Sequence, residues 1–154
     1  YTPTHTLSLH DALPISEYTY EILEVQHLGM NTKFNAPFIF GSLTGSLHAD
    51  LLNNTDVIKQ FFAFLAQKIP TLVHCHSGKD RTGVLIALAE LVAGVPVELA
   101  KKDFLATGMD LKEKDADNLF GRVEELGGVN SILQQIGVPQ EHVVATKEWL
   151  RNES

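Results

Sequence analysis

A chain with one cysteine can close no disulfide within itself, and Cys75 is the only cysteine here. That usage fits a reducing compartment, and a cytoplasmic location is the expectation. Long hydrophobic runs are missing too. No stretch approaches the roughly 20 apolar residues of a transmembrane helix, so stable membrane insertion is not expected. The N-terminus lacks the basic and apolar regions of a signal peptide. Positive charge is scarce: 12 Lys and Arg stand against 19 Asp and Glu, for a net charge of −7. This balance argues against nucleic acid or anionic membrane as a broad partner. There is no internal repeat, low-complexity segment or interdomain linker. What remains, 44% hydrophobic and 20% charged residues, is the composition of a globular domain.

Against that plain background one string stands out: His74-Cys75-His76-Ser77-Gly78-Lys79-Asp80-Arg81-Thr82-Gly83. Cys75 ends an apolar run that reads as a buried strand, and Arg81 opens a helix-like run six positions later. A strand end, a glycine-bearing loop and a helix start form a cradle for an oxyanion. The loop N–H groups converge on it, and the helix N-terminus adds positive potential. The same field favours thiolate over thiol at Cys75. Thiolate is the form that attacks phosphorus. A guanidinium such as that of Arg81 binds two phosphate oxygens as a fork and stabilises transition-state charge. Thr82 can donate its hydroxyl to the Cys75 sulfur, or cap the backbone. Lys79 adds a cation at the pocket mouth.

The string HCHSGKDRTG resembles the signature of the cysteine-dependent protein tyrosine phosphatases, His-Cys, five residues, then Arg. More narrowly it is similar to the bacterial and fungal tyrosine/dual-specificity phosphatases with Gly-Lys-Asp-Arg-Thr-Gly in the loop. Two further stretches carry the likeness: AKKDFLATG (100–108), like that family's Asp-aromatic-Leu element, and GGVNSILQQIGVPQEHV (127–143), like its C-terminal helical segment. The resemblance implies Cys75 as nucleophile, Asp80 as general acid and Arg81 as phosphate clamp. His76, Ser77, Gly78, Lys79, Asp80 and Arg81 would line the substrate, His76 and Ser77 chiefly through their backbone N–H groups. His74 would orient the loop, and Thr82 would support the thiolate. Lys79 would meet a second phosphate, as on a phosphoinositide. Asp103 would be structural. No cofactor and no metal are implied. The substrates implied are phosphorylated proteins, carrying phosphotyrosine and possibly phosphoserine or phosphothreonine, or phosphoinositides.

The front of the chain reads differently. Residues 6–15, TLSLHDALPI, look like one translated frame of a sequencing adapter. Residues 1–16 are therefore read as an artefactual tail and set aside from the fold. Residues 17–154 are read as a partial phosphatase domain. It lacks the family's first sheet strands and its Asp-Leu-Arg element.

Along that part, 17–27 reads as a strand, 29–37 as a loop and 39–52 as ambiguous. Asn54-Thr55-Asp56 offers N-cap chemistry for a helix whose core face is Val57, Phe61, Phe64 and Leu65, stopped by Pro70. The strand is expected over 71–75 and a buried helix over 82–93, capped by Gly94. Pro96 opens a helix over 97–107. A polar loop is expected over 108–115, with helices over 116–126, 129–136 and 140–150. Trp149 reads as packing. The expected class is α/β: a protein tyrosine phosphatase-like fold with a helical C-terminal half.

Three competing chemistries fit less well. A nucleotide-binding P-loop needs Ser or Thr where Asp80 stands and a glycine where Val73 stands. A sulfurtransferase anion loop is shorter than the span from Cys75 to Arg81. A metal site from His74, Cys75 and His76 is poor, because neighbours on a strand point to opposite faces. An inactive phosphoprotein-binding module, with the motif intact and scaffold missing, remains the reading of another class.

Overall fold

The computed structural model describes residues 6–8, 39–75, 78–108 and 110–152. The expected strand over 17–27 and loop over 29–37 lie outside them. Two short strands, β1 (Thr6–Ser8) and β2 (Thr71–Val73), pair in parallel, with Leu7 opposite Leu72. β1 falls within the residues set aside as a tail, so that exclusion removes the only described ladder partner of β2. β2 is also shorter than the 71–75 expected. Val73 is buried and Thr71 and Leu72 are half-buried; the ladder ends at Val73, and the chain leaves it to enter the loop.

Among the described residues seven helices follow: α1 (Leu47–Asp50), α2 (Thr55–Ala66), α3 (Arg81–Ala93), α4 (Val97–Ala106), α5 (Glu113–Glu125), α6 (Val129–Ile136) and α7 (Gln140–Leu150), with a 3₁₀ turn at Leu51–Asn53. Among the described residues the architecture is thus mostly helical. Among those residues the sheet that would make it α/β comprises one strand pair, and the helical C-terminal half is as expected.

The centre is α3. Its run is apolar nearly all round, so no face can be left to solvent without cost. It packs on α4, α6 and α7. Val84, Leu85, Ala87, Leu88, Ala89, Val92 and Ala93 are all buried. At its end Gly94 takes φ +89, a left-handed conformation that glycine adopts without a Cβ penalty. α2 buries Ile58, Phe61, Phe62 and Leu65 against α6 and α7. Full burial of side chains this size is worth about 1.5–3 kcal/mol each. The face differs from the expected one, since Val57 and Phe64 are only half-buried. α2 carries apolar residues around a wide arc, and the tertiary neighbours select which part goes inside.

Two helix starts depart from expectation. Asn54 precedes α2 without capping it; its Nδ2 donates backwards to the Leu51 carbonyl at 3.3 Å. α5 begins at Glu113, so Glu113–Asp115 belong to a helix and not to the polar loop. Acidic residues suit a first helical turn, where the free N–H groups and the helix dipole favour negative charge. Asp115 acts there directly: its Oδ2 accepts the Lys112 N–H at 2.9 Å.

α1 presents the residue that matters most below. Asp50, at its end, accepts the Thr44 N–H at 2.7 Å, the Thr44 hydroxyl at 2.8 Å and the Gly45 N–H at 3.0 Å. This anchors the preceding loop. Arg122 of α5 donates to the Phe40 carbonyl and ties the same segment to the helical body.

Candidate active site

The loop between β2 and α3 holds Cys75 half-buried just beyond the strand end. Gly78 turns the chain at φ +65, a conformation costly for other residues. Burial alone would push the Cys75 thiol pKa up. The Thr82 hydroxyl and the backbone N–H groups of Thr82, Gly78 and Lys79 outweigh it and hold the thiol below its ordinary value. Thr82 itself is buried, and its Oγ1 has no partner in full hydrogen-bond geometry among the described residues. The hydroxyl therefore acts on the sulfur as a nearby dipole in looser geometry than a conventional bond. Arg81 opens α3, half-buried and engaged with its surroundings. His74 is exposed and is not among the groups acting on the thiol. His76 and Ser77 lie outside the described residues.

Across the loop from the thiol lies a set of charged groups. Asp80 precedes α3 in the N-cap position but makes no capping bond with its side chain. Its Oδ1 lies 2.7 Å from Nε2 of His48, which is only 5% exposed. The other ring nitrogen, Nδ1, faces Oδ1 of Asp115 at 3.9 Å. Phe104 of α4 meets the imidazole edge-on, centroids 5.2 Å apart. Phe104 can sit there because residue 83 is glycine: a Cβ on Gly83 would come within 3.1 Å of the phenyl ring.

The second oxygen of Asp80 is 3.8 Å from Lys79 Nζ. That ammonium already donates to both carboxylate oxygens of Asp110, each at 2.8 Å. The Asp110 bond raises the Lys79 pKa, and the Lys79 bond lowers that of Asp110. An exposed pair of this kind is screened by salt and adds little to stability. The groups face an open cleft of about 1010 Å³ between α1, the loop and α5.

The structure thus brings together Cys75, Gly78, Lys79, Asp80, Arg81 and Thr82 around one loop. Lys79 is paired, where the sequence reading had it free to meet a second phosphate. Asp103 is half-buried on α4, next to the buried Phe104, and Trp149 is buried in the core. The sequence reading missed His48, Asp110 and Asp115. His48 lies in a segment read as ambiguous, and the two acids lie in a stretch read as solvated loop. No local spacing ties any of them to Asp80; they are 30 or more residues away from it.

A thiol biased toward thiolate, backbone N–H groups aimed at it, a guanidinium in the next helical turn and a carboxylate beside them suit transfer of a phosphoryl group. No helix among the described residues is long and apolar enough to cross a membrane. No curated protein and no solved structure matches the chain. The family described as the tyrosine phosphatase family matches residues 13–153. This span takes in the loop, all seven helices and the cleft, and on it the chain belongs to the tyrosine phosphatase family and is a phosphatase acting on phosphorylated substrates.

Proposed function

We propose that the chain hydrolyses phosphomonoesters through a phosphocysteine, as a protein tyrosine or dual-specificity phosphatase working without metal. One observation carries this reading: the Thr82 hydroxyl and the N–H groups of Thr82, Gly78 and Lys79 act together on the Cys75 sulfur and outweigh the effect of its burial. A structural buried cysteine has no use for such a field, whereas a nucleophile does.

In the first step the Cys75 sulfur attacks phosphorus. The S–P bond forms as the ester P–O bond breaks, and Asp80 gives its proton to the departing oxygen. Arg81 spans two equatorial phosphate oxygens throughout. In the second step water attacks phosphorus and passes a proton to Asp80. The S–P bond breaks, inorganic phosphate leaves and the thiolate is restored. Phosphotyrosine, with phosphoserine and phosphothreonine as further substrates, suits this scheme. A phosphoinositide would have to compete with Asp110 for Lys79. We read the domain as 17–154 within an α/β phosphatase fold, working in the reducing cytoplasm.

The test is hydrolysis of para-nitrophenyl phosphate by the full chain with EDTA present, beside Cys75→Ser. The expected outcome is turnover in the wild type and none in Cys75→Ser. Equal turnover in the two would refute the nucleophile. Absence of turnover in a folded wild type would favour a phosphoprotein-binding module.

A further inference from the structure

We infer that His48 is the positioning residue for the Asp80 carboxyl group, fixing one oxygen so that the other stays free to exchange a proton with the leaving group. The inference rests on the reading of Asp80 as general acid and adds a residue to it.

The geometry divides the two oxygens of Asp80. Oδ1 is bonded to Nε2 of His48 at 2.7 Å. Oδ2 lies 3.8 Å from Lys79 Nζ, too long for a hydrogen bond. We assign the ring proton to Nε2, which then donates to Oδ1. His48 is itself held. It is buried on α1, Phe104 closes one side of the ring, and Asp50 anchors the loop that leads into α1. A partner with few rotamers to lose is a better orienter than a mobile surface group.

The charges around the pair show why an orienter is needed. From the loop, Asp80 has Lys79 beside it, and Lys79 is shared with Asp110. From α5, Asp115 faces Nδ1 at 3.9 Å and acts as a charge, being too distant for a hydrogen bond. Lys114 also lines the cleft from α5. Asp117 there is paired with Lys101, and Arg122 with Glu125. From α4 come Lys101, paired with Asp117, and the uncharged Phe104 ring against His48. An Asp80 released from His48 would therefore swing toward Lys79, in competition with Asp110, and lose its approach to the leaving oxygen. When Asp80 gives up its proton, the Nε2–H bond becomes charge-assisted and steadies the carboxylate until water returns a proton.

The test is a leaving-group series of aryl and alkyl phosphates, with kcat and KM measured on the full chain. His48→Gln places an amide N–H near the position of Nε2 and keeps the donor. His48→Asn falls short of it, and His48→Leu removes it. We expect His48→Leu and His48→Asn to lose about 10- to 100-fold in kcat on alkyl phosphates, the usual size for loss of an orienting partner. On para-nitrophenyl phosphate they should lose less than about threefold, with KM unchanged. His48→Gln should follow the wild type. If His48→Leu does not fold, the Gln and Asn variants decide the matter, since both are polar in the same buried place. Equal leaving-group slopes in those two would overturn the inference. Asp80→Asn and Cys75→Ser separate this failure from that of the parent reading. Turnover surviving in Cys75→Ser sinks the phosphocysteine scheme, and an unchanged slope in Asp80→Asn sinks the acid role. Wild-type behaviour of both His48 variants, with those two controls as expected, sinks only the part assigned to His48.

Discussion

The two sides of the phosphate loop are built in opposite ways. The thiol side, from Cys75 to Thr82, is one continuous stretch. Its donors are the Thr82 hydroxyl, at the start of α3, and the N–H groups of Thr82, Gly78 and Lys79. The acid side is assembled from distant segments: Asp80 from the loop, His48 from α1, Phe104 from α4, Asp110 from the next loop and Asp115 from α5. A nucleophile can be prepared by local backbone geometry, because N–H dipoles come with any turn. A carboxyl group proposed to release and recover a proton, as Asp80 is, needs neighbours chosen for charge and distance. Only tertiary packing brings those together.

Three substitutions sharpen that contrast. The largest effect is expected from Arg81→Lys, which keeps the charge and removes the guanidinium fork proposed to span two phosphate oxygens. Loss of a transition-state donor of this kind costs about 10²- to 10³-fold in kcat. A steady-state assay checks it, and a loss within about threefold would show that Arg81 serves only as a charge.

Thr82→Val comes next and addresses the thiol side alone. The Cys75 pKa is lowered in part by the Thr82 hydroxyl. Its loss should move the midpoint of alkylation by iodoacetamide to higher pH, with Thr82→Ser restoring it. The sign follows from linkage. A thiol whose folded pKa lies below its unfolded value adds stability above the unfolded pKa, and loses it as pH falls through the folded one. The destabilisation by Thr82→Val should therefore be larger at alkaline pH than at neutral pH in thermal melts. The leaving-group slope should stay as in the wild type, because the acid side is untouched.

The smallest effect belongs to Asp110→Asn. It releases an exposed ammonium that now has two carboxylate bonds. Stability should change by less than about 1 kcal/mol, the range for surface pairs. KM for a substrate bearing a second phosphate should fall, and the fall should vanish at high salt. An unchanged KM would mean that Lys79 never reaches the substrate.

What could be read from the sequence divides along the same line. Helices α6 and α7 begin and end where expected, because Gly128, Gly137 and Pro139 are local stops. The thiol loop was legible for the same reason: its residues and their donors lie within eight positions. The buried face of α2 was not, since Ile58 and Phe62 compete with Val57 and Phe64 on equal chemical terms and only α6 and α7 decide. The start of α5 was missed because Glu113 and Asp115 read as solvated polar residues, when they are matched to a helix N-terminus. β2 ends two residues early, since strand length depends on the partner strand and not on the apolar run alone. His48 could not be found at all. A lone histidine on a four-residue helix carries no pattern, and its meaning arises from Asp80, 32 positions away.

Asp115 divides its carboxylate between two tasks. One oxygen accepts the N–H of Lys112, the residue that caps α5, and the other faces His48. The first turn of a helix is the part that frays most readily, opening with far less free energy than the core. The charge facing His48 on the acid side is thus carried by a helix start, while the thiol side leans on the start of α3, whose body is buried in the core. Warming would disarm the two in sequence. Substrates that need a proton would be lost first, at temperatures where amide exchange in the first turn of α5 quickens. Substrates with good leaving groups would persist until the core itself melts. One enzyme would then show two thermal limits, set by the substrate it is given.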